Sequence, residues 1–503
     1  MSINVGRLVA AGVALLMALP PGPASGGGTR HFRRVADDWG IAGRPTRTWG
    51  AVIADIDSDG WSDLLLGRHL KSPKVFLGSE RGLRRVRYPA LEDAPRGQSY
   101  YDRHTCAFGE ADGHPEPDLY CVSGARGGEG TGPNQLLLQE DGGLRDVARR
   151  WGVRDELGRG RSINWLDYDS DGDLDLFVGN EERRGHPNVM FQNTRGGFEI
   201  ADAGVDLEMG TVSSSWSDWD RDGDPDLVVL GHGYVGSVFL ENTDASFSSR
   251  RIDGVSGVEL LSAAWGDYDG DGWGDLLVTG RRRAAVLRNL EGQSLVEVAT
   301  WRLAAGRAGK WIDIGSDGDL DIVVVQGRTG RSPLDDPAGE EAADRPDLLI
   351  EQAGGAFVAP TKLHRVANGN GEDATIGDLD GDLIPDVLVT AGYLEDAARP
   401  IALAQVTAGA TVGVQVSDGS WNPWGLGAHV EVTADGIVQT DELTDEVVFH
   451  SQSSPGRTLF GIGTSTVADV VVTWPDGERS CMTVQRGQVA LIQRGGAPCS
   501  PIG

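Results

Sequence analysis

The stretch Asp167-Tyr-Asp-Ser-Asp-Gly-Asp-Leu-Asp-Leu176 decides the fold of this 503-residue chain. Asp167, Asp169 and Asp171 stand at alternate positions, Gly172 allows a sharp turn, and Asp175 adds a fourth carboxylate before an apolar run begins. Oxygens delivered from positions 1, 3, 5 and 9 of a tight loop converge on one point, as a hard cation such as Ca²⁺ requires. The phrase recurs at Asp55, Asp218 and Asp267, and in looser form at Glu110, Asp313 and Asp378. Successive first positions are 55, 57, 51, 49, 46 and 65 residues apart. A period of about 50 residues marks a repeat architecture.

The flanks of the seven copies share one register. Two residues before each first acid stands Ile53, Phe108, Trp165, Trp216, Trp265, Trp311 or Ile376. Directly after each last Asp stands Leu64, Leu119, Leu176, Leu227, Leu276, Ile322 or Val387. Large apolar residues at period two around a turn predict a strand–loop–strand hairpin. A third strand follows, as at Val189–Phe191 or Val238–Leu240, then a turn and a short fourth strand near Phe198 or Phe247. Four strands per repeat, arranged radially, make a β-propeller blade. The segment from Phe32 to Ile41 mirrors Leu144 to Val153, a fourth strand leaving its blade, but no first three strands precede it. The last repeat, Asp373 to Val406, lacks a fourth strand. Pairing the two closes a ring of seven blades and removes the open edges. The expected fold is therefore all-β: a seven-bladed β-propeller over residues 30–406, then a small all-β module over 409–495. The segment Arg328–Pro346 reads as an exposed insertion.

Charge and chain ends narrow the class. The acidic excess is 30 charges, and positions 1, 3, 5 and 9 of the seven motifs hold 26 Asp or Glu residues. The acidity is thus concentrated in the loops, where it opposes folding without a cation. Net charge disfavours nucleic acid as a partner. Arg7, the apolar Leu8–Leu19 run, and the small residues that follow predict an export signal over residues 1–25. No other apolar run is long enough for a span. The expected location is extracellular or cell-envelope, the periplasm in a Gram-negative host. In that setting Cys106 with Cys121, and Cys481 with Cys499, read as two disulfides.

The repeats resemble FG-GAP/VCBS repeats, the calcium-binding blades also found in integrin α-subunit heads. The tail resembles the ASPIC/UnbV module through Asn422-Pro-Trp-Gly-Leu-Gly-Ala-His-Val430, His450-Ser-Gln-Ser453, Phe460-Gly-Ile-Gly463 and Trp474-Pro-Asp-Gly477. Together, from about Phe32 to Gln493, they resemble the cartilage acidic protein family and its bacterial relatives. That resemblance implies secretion and Ca²⁺ binding, and no particular reaction.

The expected ligands in the four regular loops are Asp55, Asp57, Asp59 and Asp63; Asp167, Asp169, Asp171 and Asp175; Asp218, Asp220, Asp222 and Asp226; Asp267, Asp269, Asp271 and Asp275. At position 7, Trp61, Asp173, Asp224 and Trp273 offer backbone carbonyls. The loop at Asp313 has Gly315 at position 3, leaving Asp313, Asp317 and Asp321, with Asp319 at position 7. The loop at Asp378 keeps Asp380, Asp382 and Asp386, but Leu383 replaces the turn Gly. The loop at Glu110 keeps Asp112 and Asp118, has His114 and Pro115 where Asp and Gly belong, and is expected to bind weakly or not at all. An EF-hand is excluded, because position 12 is Leu66, Val178, Val229 or Val278 inside a strand.

No nucleophile elbow, zincin motif or phosphate loop is present. The function expected is a secreted, calcium-stabilised scaffold for extracellular binding or adhesion. The alternative is a propeller enzyme acting on polysaccharide. Loops joining strands two and three and those between blades share a second face, opposite the acidic loops. Their arginines (Arg44, Arg103, Arg126, Arg161, Arg183, Arg184, Arg281, Arg282 and Arg283 among them) predict a cationic face for an anionic protein or glycan partner.

Overall fold

The computed structural model describes residues 31–496 and 499, except 42–46, 69–70, 93–102, 115, 125–132, 141–142, 182–185, 208, 233–234, 328–344, 365–370, 392–398, 407–408 and 418–420. The export segment, nearly all of the Arg328–Pro346 insertion, Pro115 and several second-face arginines (Arg44, Arg126, Arg183, Arg184) lie outside the described residues.

The chain is a β-propeller followed by a smaller β module. Helix among the described residues amounts to one turn, Pro89–Glu92. Each acidic motif joins two antiparallel strands, and the apolar pair flanking each motif is in register: Ile53↔Leu64, Phe108↔Leu119, Trp165↔Leu176, Trp216↔Leu227, Trp265↔Leu276, Trp311↔Ile322 and Ile376↔Val387. Third and fourth strands complete sheets of four in chain order, such as Gly160–Leu166, Asp175–Asn180, Val189–Asn193 and Phe198–Ala201. Each inner strand touches the inner strand of the next sheet, and Gly371–Gly377 touches Thr48–Ala54. The sheet at Gly371–Gly377 has no fourth strand of its own; Phe32–Arg34 supplies it, with Phe32↔Gln405 and Arg34↔Leu403.

The tryptophans before the loops are packing residues. Trp165 is fully buried and lies over Gly109 of the preceding sheet, where a Cβ would collide with its ring. Sheets must approach closely at the hub, so large rings on one side face glycine on the other.

Beyond residue 409 the strands form a second body. Ala410–Ser417 lies between Arg457–Gly463 and Val489–Gln493, antiparallel to the first and parallel to the second. A four-stranded sheet carries Ile437–Glu442, His429–Ala434, Val467–Thr473 and Arg479–Gln485 in that order. Alternate residues Val412, Val414, Val430, Val432, Val470 and Val472 share one core with Phe460 and Trp474.

The module also reaches into the propeller. The segment from Leu443 to Ser454 enters the hub of the propeller and plugs it. Its hairpin, Val447–Val448 with Ser451–Gln452, joins the sheet of Thr48–Ala54 through the parallel pair Val52↔Gln452. Inner strands leave one edge of backbone N–H groups facing the hub, and buried donors need partners. The plug provides them. Asp445 accepts the N–H of Trp165 at 2.9 Å and the indole N–H of Trp216 at 3.0 Å. Gln452 accepts the N–H of Phe108 at 2.7 Å and donates to its carbonyl at 2.9 Å. Ser451 and Ser453 accept from Ala51 and Ile376, at 3.1 and 3.2 Å.

Candidate metal centres

The acidic loops are built alike. The first Asp folds back over its own turn: Asp167 accepts the N–H groups of Asp171 and Gly172, both at 3.0 Å, and Asp55 those of Asp59 and Gly60 at 3.0 and 2.9 Å. Position 6 takes a positive φ, 92° at Gly60, 89° at Gly172 and 98° at Gly223, which glycine adopts without strain. The fifth-position Asp then accepts the N–H of position 7, as Asp59 does from Trp61 at 2.9 Å.

The ninth-position Asp is the buried clamp. Asp63 accepts the N–H of Ile56 at 2.7 Å with one oxygen and that of Gly78 at 2.6 Å with the other. Asp275 holds Tyr268 and Asn289 in the same way, at 3.2 and 2.7 Å. This residue therefore ties the loop to the end of the third strand as well as facing the other acids.

Three carboxylate oxygens lie within 4.8 Å of one another in the groups Asp55/Asp57/Asp63, Asp167/Asp169/Asp175, Asp218/Asp220/Asp226 and Asp267/Asp269/Asp271. Several of these atoms are buried with no hydrogen-bond donor in reach: Asp169 Oδ1, Asp218 Oδ1, Asp220 Oδ1, Asp226 Oδ2, Asp269 Oδ1 and Asp380 Oδ1. Such acceptors are costly to leave unpaired. A hard cation fits them, and the donor set is all oxygen. Burial, reinforced by the neighbouring carboxylates, pushes Asp175 and Asp226 up to about 9 and Asp167 and Asp218 up to about 7. Asp173 turns its side chain to Arg195 at 2.9 Å, which leaves its carbonyl for the loop. In the loop at Asp267, Arg288 approaches Asp269 at 2.7 Å and Asp271 at 2.8 Å, so a guanidinium shares those acids.

The irregular loops divide. At Asp313 the backbone pattern persists, with the N–H groups of Asp317 and Gly318 both at 3.1 Å from its carboxylate. At Asp378 the turn survives with Leu383 at φ 63°. The loop at Glu110, set aside on sequence, gathers Glu110, Asp112 and Asp118 within the same 4.8 Å, and Glu110 Oε2 is buried without a partner. Asp112 accepts the N–H of His114 at 3.1 Å, and Gly113 takes the positive φ that the fourth position takes in the other loops, as at Ser58 and Ser170. Glu110 accepts the N–H groups of Asp112 and Gly113, where Asp55 accepts those of Asp59 and Gly60. The same hairpin carries the Cys106–Cys121 disulfide, whose partners face one another across the strands.

Sequence reasoning missed a second layer of contacts. The C-terminal module docks on the face that carries the acidic loops. Glu442 accepts the N–H of Asp218 at 2.9 Å, Thr440 donates to Asp267 at 2.6 Å, and Arg457 donates to the carbonyl of Gly60 at 3.1 Å. Two backbone bonds join the module to the loop at Asp313, Gly409 to Gly315 at 2.7 Å and Gly463 to Ser316 at 3.0 Å. Position 7 also ties loops together: Trp61 packs on Gly381, and Arg221 lies 4.7 Å over the ring of Trp273.

The arginines expected to make a cationic face are largely engaged. Arg103 and Arg161 are buried; Arg103 donates to Gln135 at 2.9 Å and Arg161 to Glu181 at 2.7 Å. Arg159 meets Glu181 at 3.3 Å, Arg281 meets Glu259 at 3.5 Å, and Arg283 meets Glu297 at 3.2 Å.

A family model described as FG-GAP-like repeat matches residues 167–229, 218–278 and 267–324, and one described as ASPIC and UnbV matches residues 418–497. No curated protein sequence matches the chain at a significant level. Among solved structures, BBS1N in complex with ARL6DN, soaked with lead, is similar at 9% identity and a TM-score of 0.45, covering 73% of this chain and 94% of that one. The rhamnogalacturonan lyase PL11 of Bacillus licheniformis is similar at 14% identity and a TM-score of 0.37, covering 72% and 61%. Likenesses this distant carry nothing about activity or partner.

Proposed function

We propose that this chain, which carries FG-GAP-like repeats and a C-terminal ASPIC and UnbV domain, is an exported seven-bladed calcium propeller that serves as a scaffold for extracellular binding. The propeller occupies residues 30–406 and the module 409–495. Ca²⁺ is structural, held by the first, third, fifth and ninth acids of each regular loop and the position-7 carbonyl. Asp313, Asp317 and Asp321 hold one further ion, and Asp378, Asp380, Asp382 and Asp386 another.

The observation that carries this reading is the set of buried, unpartnered carboxylate oxygens repeated from loop to loop. Each set lies in its own turn, and its ninth-position acid is tied to its own strands. The ion would neutralise the loop and fix the hairpin that presents it. The partner is an extracellular protein or glycan. Pairing of Arg159, Arg161, Arg281 and Arg283 with acids gives no support to an anionic preference. The test is metal analysis of the purified chain after dialysis against buffered Ca²⁺. Fewer than two bound ions per chain overturns the proposal.

A further inference from the structure

The plugged hub does not close completely. Between the plug, the module and the inner strands lies a cavity of about 200 Å³, room for on the order of ten waters. Lys310, on the inner strand Gly306–Ile312, lines it. At the equivalent place the other inner strands have Val52, Ala107, Asn164, Ser215, Ala264 and Thr375, so Lys310 is the one charged residue in this ring. It is only 4% exposed, and its Nζ meets no hydrogen-bond acceptor among the described residues. A buried ammonium without an acceptor is costly. Asp441 and Glu446 also line it, each bonded within the module to a threonine, Thr458 and Thr444. Neither reaches the lysine. Trp265 and Trp311 add apolar wall.

We propose that this cavity is a binding site for a small neutral polyhydroxylated ligand, of the size of a single sugar ring, held by Lys310 together with Asp441 and Glu446. Charges of both signs line the cavity, with Glu442 and Asp445 beside Arg221 and Arg457 as well. Hydroxyl groups accept from the lysine and donate to the carboxylates in the same contact. Two or more hydroxyls on a ring satisfy lysine and carboxylates at once, and the ring's C–H surface suits the indoles. The first acids of four loops, Asp218, Asp267, Asp313 and Asp378, also line the cavity, so the test keeps the loops loaded with Ca²⁺.

The test uses the full chain in excess Ca²⁺, titrated separately with glucose, galactose, mannose, xylose and myo-inositol, with acetate and methylamine as charged controls. Saturable binding is read by calorimetry and by saturation-transfer NMR. At least one neutral compound is expected to saturate below about 10 mM, weak in affinity terms, and Lys310→Met to weaken it at least tenfold. The variant's calcium-dependent melting shift reports whether it folds; if it does not, Asp441→Asn carries the same tenfold expectation. Absence of saturation by all five compounds, equal binding by wild type and both variants, or tighter binding of acetate or methylamine overturns the proposal.

Discussion

Leu383 shows what one residue costs in a loop of this design. It occupies the position that glycine fills at Gly60, Gly172, Gly223, Gly272 and Gly318, and adopts φ 63° where those residues lie between 89° and 98°. A left-handed conformation costs an ordinary side chain about 1–2 kcal/mol. Leu383→Gly is therefore expected to stabilise the metal-free protein by about 1 kcal/mol, reduced by whatever packing the half-buried side chain makes. Equilibrium urea unfolding in EDTA measures it, and a lower midpoint for the variant refutes the reading. Asp445 is the opposite case. Its carboxylate satisfies the buried N–H of Trp165 and the indole of Trp216. Removing it orphans both donors, at about 1–3 kcal/mol each. Asp445→Ala is expected to lose about 3 kcal/mol in the same assay, and a loss under 1 kcal/mol would show that the plug contributes little.

At the scale of the element, the hairpin was legible in the sequence because its signal is local. Apolar residues at fixed offsets from the acids set the register, and that register also brought Cys106 opposite Cys121. A bridge spanning 15 residues stabilises by on the order of 3 kcal/mol through the unfolded chain. The double variant Cys106→Ala, Cys121→Ala should lose about that much, measured by unfolding in the presence of Ca²⁺, and an unchanged midpoint would refute it. The plug was not legible, for a physical reason. Asp445, Ser451, Gln452 and Ser453 bond to backbone of inner strands 77 to 400 positions away, and hydrogen bonds of that kind leave no periodicity. The Glu110 loop, expected to bind weakly or not at all, still gathers Glu110, Asp112 and Asp118, the same first, third and ninth positions as in the regular loops.

For the whole molecule, metal and proton compete for the same oxygens. Burial raises the ninth-position acids in the folded, metal-free chain, Asp63 to about 7, Asp275 and Asp321 to about 8, Asp175 and Asp226 to about 9. Unfolded aspartate titrates near 3.9. A raised folded pKa favours the folded state below the unfolded value, and that advantage is lost as pH rises through the folded pKa. In EDTA the melting temperature should therefore fall steadily from about pH 5 to pH 9. In excess Ca²⁺ the ion replaces the protons, so the fall should vanish and the midpoint at pH 7.5 should lie well above that in EDTA. Differential scanning calorimetry over this range checks both halves. Coincident curves with and without metal would remove Ca²⁺ from the structure of this protein.

The pairing of Phe32–Arg34 with Leu403–Gln405 has a further consequence, for the order of events during synthesis. The strand that completes the last sheet is made near the start, and it has no partner until about 370 residues more have been added. Bringing such distant segments together costs chain entropy that is recovered only at the end. Each middle sheet can assemble from its own four strands as it emerges, but the ring stays open like an unfastened bracelet. The clasp shuts only when the last strands arrive, and the stopper that fills the hub is made later still. A ribosome that stalls short of Gln405 thus releases a chain with an unpaired strand at one end and an unfinished sheet at the other, two sticky edges suited to joining neighbouring molecules rather than each other.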